Sequence, residues 1–176
     1  SSSSRGLGDV YKRQAETLSV TDMLPNKFEP KRDYRWVLAI EGIDSFLVNA
    51  TKRPTISIGN SQIKFINSYR QISNGKGVFG SISVDLHDPI APSGAQQVME
   101  WIRTHYESVS GRSGYTDFLK RDLQLKMLDP IGTVVELWDI KGALITNADF
   151  GALGYDNDGI MKISLTLEVD NCVLQF

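Results

Sequence analysis

From Met161 to Asp170 the sequence reads MKISLTLEVD, and apolar and polar side chains alternate at every position. A period of two means a β-strand with one face toward an apolar core and the other toward water or a polar partner. Any fold for this chain must therefore place a layer behind Met161, Ile163, Leu165, Leu167 and Val169. It must leave Lys162, Ser164, Thr166, Glu168 and Asp170 on the opposite face. SISVDLHD repeats the pattern, with Ile82, Val84 and Leu86 against Ser81, Ser83, Asp85 and His87. RWVLAIE does so again from Arg35 to Glu41, and the turn residues Gly42–Asp44 ahead of SFLVNA predict a hairpin over Arg35–Ala50. DLQLKML and VVELWDI add two further strands.

One segment departs from this period. Pro89 and Pro92 end the second alternating run, and Ser93 with Gln96 has the spacing of a capping box. Val98, Trp101, Ile102, His105 and Val109 then recur at helical spacing, with Gln97, Glu100, Arg103, Thr104 and Glu107 on the other side. The pattern predicts one amphipathic helix ending near SGRSG, lying against a sheet. Between Thr51 and Gly77 the chain is mostly polar, with one short apolar piece, QIKFIN, before SNGKG. That span reads as a long loop, and long ordered loops usually have a function. The sum is a mostly-β domain over 33–176, a β-sandwich or half-open barrel with one flanking α-helix. The lack of repeated strand–helix units argues against a wound parallel sheet.

With 176 residues, 41% of them hydrophobic, the chain is long enough for one sizeable core. The segment SRGLGDVYKRQ, Ser4–Gln14, resembles the in-frame translation of a sequencing-library adapter, so residues 1–14 are read as foreign, 15–32 as an N-terminal arm, and the natural start as near Met23. Arg5, Lys12 and Arg13 against Asp9 give that segment +2 of the chain's overall −2, which leaves −4 on the rest. Such a balance argues against a surface built to grip phosphates. One cysteine and two histidines provide neither a disulfide framework nor a Cys/His zinc cage. No run approaches the length of a membrane span, and the expectation is a soluble chain without a membrane anchor.

The candidate chemical motifs favour plain structural readings. YDNDG invites comparison with a calcium loop, yet with Gly159 at the sixth position the first and twelfth would be Gly154 and Leu165, neither able to donate a carboxylate. A turn is the better reading, with a calcium-dependent module using Asp156 and Asp158 as a remote alternative. His87 and Asp88 lack a serine elbow beside them, and His105 on the apolar helix face reads as a core or interface histidine. NGKG at Asn74–Gly77 lacks the spacing of a phosphate loop and reads as a flexible turn. Trp36, Trp101 and Trp138 each fall in a patterned element and read as packing. No catalytic residue, metal or cofactor is assigned.

The order of the parts is more informative. YRWVLAIEGIDSFLVNATKRP, then GSISVDLHDPIAPSGAQQVMEWI, then GTVVELWDIKGALITNADFGALGYDNDGIMKISLTLEVDNCVLQF together resemble the tail tube protein of contractile-tailed, T4-like bacteriophages, over about Asn26 to Phe176. The last block is the most specific, through VELW followed by IKGA, the FGALGYDND connection and the terminal alternating strand.

The resemblance implies a structural virion protein, not an enzyme. It implies homohexameric rings whose sheets join edge to edge into a β-barrel, stacked into a tube inside a contractile sheath and conducting the DNA genome during ejection. Closing a ring of identical copies also removes exposed sheet edges. Ser81, Ser83, Asp85, Lys162, Ser164, Thr166, Glu168 and Asp170 are then the candidate channel lining. The 51–77 loop is the candidate inter-ring contact, through Pro54, Ile58, Asn60, Phe65, Tyr69 and Lys76. Gln97, Glu100, Arg103 and Glu107 are the candidate sheath-facing helix positions. Implied partners are further copies of the chain, the sheath, baseplate and tail terminator proteins, a tape measure protein in the lumen, and double-stranded DNA in passage without specific binding. The implied location is the phage tail, assembled in the host cytoplasm. Alternatives are a baseplate tube initiator of the same fold, or the tube of a contractile injection or secretion system.

Overall fold

Every strand pairing among the described residues of the computed structural model is antiparallel, and one strand takes part in two sheets. The structure describes residues 27–176; residues 1–14, the expected start at Met23 and most of the 15–32 arm lie outside the described residues. In the unit from Asp33 to Phe176, β1 (Trp36–Ile40) leads through a 3₁₀ turn (Ser45–Leu47) to β2 (Val48–Thr51). Then come β3 (Ile56–Phe65), β4 (Ser68–Phe79), β5 (Ile82–His87), α1 (Gly94–His105) and a short α2 (Thr116–Leu119). β6 (Arg121–Leu128), β7 (Val134–Asp149), β8 (Lys162–Glu168) and β9 (Asn171–Leu174) complete the chain.

The first part of β7 pairs with β6 and β9, and β6 pairs with β1, which makes one sheet. Its last six residues, Leu144–Asp149, pair instead with β8, which continues through β5 to β2 as a second sheet. The strand changes sheet at a bulge: Ile140 and Ala143 on β7 face Leu123 and Arg121, so β7 carries an extra residue there. Gly142 in that bulge sits at φ 69°, and a Cβ on it would collide with the carboxylate of Asp170. Glycine supplies the left-handed conformation that the bend needs. The Gly142 N–H donates to Asp122 Oδ1 at 3.2 Å, and Asp170 is held by Lys120 at 2.6 Å.

The expected Arg35–Ala50 hairpin does not form, because β1 pairs with β6 and β2 with β5. Burial explains the divergence. Ile43 (5% exposed) and Leu47 (1%) sink into the core from the connecting turn and carry the chain from the first sheet to the second. Leu38, Leu123, Leu125 and Ile140 from the first sheet meet Ile82, Val84, Leu86, Ile163, Leu165 and Leu167 from the second, none of them more than 2% exposed. Each such side chain contributes about 1.5–3 kcal/mol over its exposed state. The alternation of the last run holds for Ile163, Leu165 and Leu167; Met161 precedes β8 and is exposed, and Val169 follows it, half-buried. Cys172 is buried, which raises its thiol pKa above the ordinary value.

α1 packs Val98 and Trp101 into the same core, and the Trp101 indole N–H donates to the Leu119 carbonyl at 2.8 Å. The Arg121 guanidinium lies 4.9 Å from the Trp101 ring centroid and donates to the Glu41 carbonyl at 2.7 Å. Burial lowers the Arg121 pKa, with Glu41 and Glu100 acting the other way. Ser93 is the N-cap residue but makes no side-chain cap bond, so the capping box does not form. Asp88 takes that role, its Oδ1 accepting from the Ala95 N–H at 3.2 Å. α1 stops at His105, which is exposed, and Val109 (94% exposed) lies in the following loop rather than on an apolar face.

The 51–77 span is the largest departure from expectation: it forms most of a two-stranded hairpin instead of a loop. β3 and β4 pair with each other from Ile56 opposite Phe79 to Phe65 opposite Ser68 and, among the described residues, with no other strand. Asn74–Lys76 is a bulge within β4, where Gly75 takes φ 72° and Asn74 Oδ1 accepts from the Lys76 N–H. The Gly80 N–H closes the base of the arm on the Thr55 carbonyl at 2.9 Å. At its root, Arg53 approaches the buried Glu136 of β7 at 3.7 Å, and Glu136 also accepts from the Trp138 indole N–H.

Candidate assembly surfaces

The sheet of β2, β5, β8 and the second half of β7 buries one face and leaves the other polar. Registers place Ala50, Asp85, Ser164 and Asp149 in one row across it, Ser83, Thr166 and Asn147 in the next, and His87 beside Lys162 at the end. Of the expected channel-lining residues, Ser83, Asp85, Lys162, Ser164 and Thr166 thus share one surface, and Glu168 ends the β8 side of it opposite Leu144. Ser81 lies just before β5. Asp170 is a correction: it sits in the turn between β8 and β9, engaged by Lys120 beneath Gly142. Alternation along single strands could not reveal Ala50, Asn147 and Asp149, which join the face only through their cross-strand partners. The available signal was KGALITNAD, whose polar residues follow a glycine that shifts the period.

Both margins of this sheet are open among the described residues. Among the described residues, β2 pairs only with β5, and Leu144–Asp149 only with β8. Strand directions alternate across it from β2 to the second half of β7, so β2 of another copy would meet that half of β7 antiparallel and continue the alternation. Unpaired backbone groups along such a margin are a template for another strand.

The arm has two different faces. Ile63, Phe65 and Ile72 share one with Arg70, and Asn60, Gln62, Lys64, Tyr69 and Gln71 share the other. Ile63 is 50% exposed and Phe65 69%. Of the residues expected on the inter-ring loop, Ile58, Asn60, Phe65, Tyr69 and Lys76 are exposed on the arm, and Pro54 is half-buried at its root. On α1, Glu100 and Arg103 are exposed. Gln97 is already engaged, its amide N–H donating to Asp44 Oδ2 at 3.0 Å and its oxygen accepting from the Asp44 N–H at 3.2 Å. Glu107 lies beyond the end of α1 and accepts from the Ser110 hydroxyl.

The other candidate motifs have structural placements. Asn157 Oδ1 accepts from the Gly159 N–H at 3.0 Å, a local turn within the twelve-residue connection between β7 and β8 rather than a tight hairpin. Among the described residues no group of three or more His, Cys, Asp or Glu side chains is placed to hold a metal ion. Among the same residues no helix is long and apolar enough to cross a membrane.

No family model and no curated protein matches the sequence. Solved structures do match by shape. A chain of the PVC sheath–tube complex of an extracellular contractile injection system, in its extended state, is 15% identical, with 90% of this chain and 99% of that chain covered at a TM-score of 0.64. A chain of the anti-feeding prophage cap, which terminates the tube, is 15% identical over 90% of this chain and 99% of that one, at a TM-score of 0.68. A chain of the PVC sheath/tube terminator is 15% identical over 85% and 99%, at 0.67. The fold is therefore the tail-tube fold of contractile injection systems.

Proposed function

We propose that this chain is the subunit of the inner tail tube of a contractile phage tail. Six copies close into a ring by pairing β2 of one with the second half of β7 of the next, each copy giving four strands to a common barrel. Rings stack into a tube within the sheath, between baseplate and terminator, with a tape measure protein in the lumen during assembly. The role is structural and involves no reaction.

The observation that carries this reading is a sheet with one buried face, one polar face and two open margins of matching direction, in a chain with the tail-tube fold. Cyclic closure pairs both margins at once and leaves the polar face as the channel wall. That wall carries Asp85, Asp149 and Glu168 against Lys162, and few cations means few anchors for phosphates, so DNA slides through without sticking. The arm, anchored beside the Thr51 end of the sheet, supplies the inter-ring contact, and Glu100 and Arg103 on α1 face the sheath.

A second reading is favoured by the solved structures themselves, since they come from contractile injection systems and include tube terminators: a tube or terminator chain whose particle carries protein. Electron microscopy of the purified chain without residues 1–14 tests the common core of both. Sixfold rings and long tubes are expected; rings that never stack point to a terminator or baseplate role, and a protein that stays monomeric at all concentrations overturns the proposal. Capsid, portal and terminase genes beside the coding sequence would separate phage from injection system.

A further inference from the structure

Between α1 and the open margin of β7 runs a groove of about 640 Å³, walled by Trp101, Ile102 and Tyr106 on one side and Ile145, Ala148 and Phe150 on the other. It lies where a neighbouring copy's β2 would arrive. Two residues before β2, on the 3₁₀ turn, Phe46 is 68% exposed, and the flanking Leu47 is 1% exposed and fixes the turn. We propose that Phe46 of one copy fills this groove on the next copy in the ring. The inference rests on the edge-to-edge ring described above and names the contact that holds it.

Two features support that occupant. First, the turn and the groove lie on the same side of the sheet, because the Gln97–Asp44 hydrogen bonds tie the turn to α1 and α1 also forms one wall of the groove. Second, α1 reaches both margins of the sheet: Gln97 bonds Asp44 on the turn before β2, and Ile102, His105 and Tyr106 share the groove with Ile145 and Ala148 of β7. The end of α1 in one copy is thus brought to the turn of its neighbour when the margins pair. An exposed aromatic side chain set against an apolar groove has the composition of an interface hot spot.

The test uses the assembled protein. Phe46→Ala is expected to leave the unfolding midpoint unchanged and to raise the concentration for half-assembly at least about tenfold. A chain carrying both Phe46→Cys and Ala148→Cys, assembled and treated with a short bifunctional maleimide, is expected to give a ladder of linked chains ending at the closed ring. The parent, whose single cysteine Cys172 is buried, is the unlinked control. If the parent forms tubes, Phe46→Ala assembles at the parent's concentration and no ladder appears, the groove contact is wrong and the tube reading stands. If the parent itself stays monomeric, the tube reading fails and this contact with it.

Discussion

The β3–β4 arm and the sheet of β2, β5, β8 and β7 use the same antiparallel conformation, but only the sheet has a buried side within its own chain. Val84, Leu165 and Leu167 are at most 1% exposed, whereas Ile63, Phe65 and Ile72 on the arm are 50%, 69% and 43% exposed. A lone two-stranded hairpin is marginal in water. The sheet therefore draws its stability from folding, and the arm keeps an apolar face in water. The most direct check is Leu165→Ala, which should cost roughly 3 kcal/mol in urea denaturation of the monomer by leaving a cavity between the two sheets. A loss under about 1 kcal/mol would mean that this side of the sheet is not the core.

Next in size is the joint that lets one strand serve two sheets. Gly142→Ala should cost about 2 kcal/mol, since alanine must enter the left-handed region and its Cβ meets the Asp170 carboxylate. Adding Asp170→Ala relieves the collision but not the backbone strain, so denaturation of the double variant should recover only part of the loss. Full recovery would show that the bend does not depend on the positive φ.

These two regions also explain what could be read in advance. Where one face is buried, the period of two is written in the residues: Ile82, Val84, Leu86, Ile163, Leu165 and Leu167 alternate in the sequence and all lie in the core. On the arm both faces lie in water and the register shift between Ile58 and Asn60 breaks the alternation, so its strands read as a polar loop with the apolar piece QIKFIN. β7 hid for another reason. The bulge at Gly142 shifts the alternation by one residue, so the strand seemed to stop at Ile140 when it continues to Asp149. The Arg35–Ala50 hairpin failed because a turn signal marks a reversal but does not say which sheet the returning strand joins. Likewise, Ser93 had the sequence of a cap, and Asp88, seven residues from its partner Ala95, took over a role that local spacing cannot show. For the polar face, single-strand alternation found Ser83, Asp85, Ser164 and Thr166, and only cross-strand register could add Ala50, Asn147 and Asp149.

At the tip of the arm the expected effect is smaller and opposite in sign. Ile66 is a β-branched residue at φ 52° and 89% exposed, a conformation that glycine takes without strain. Ile66→Gly should stabilise the hairpin by about 1 kcal/mol, visible as slower amide exchange along β3 and β4 with no change in global melting. Slower exchange in β5 and β8 as well would show that arm and sheet unfold together.

The smallest expected effect on the monomer is the most demanding test of the comparison. Ile63→Ser combined with Ile72→Ser removes apolar area that is already in water, so the denaturation midpoint should move by less than about 0.5 kcal/mol. The polar face of the arm and its backbone ladder are untouched. If the apolar face is held for another copy, the same variant should still close rings, since β2 and the second half of β7 are intact, but should fail to stack them into tubes in electron micrographs. Loss of rings as well would place the arm within the ring instead of between rings. A monomer destabilised as much as by Leu165→Ala would mean that the arm folds back onto its own chain, and the division between a self-sufficient sheet and a waiting arm would no longer hold.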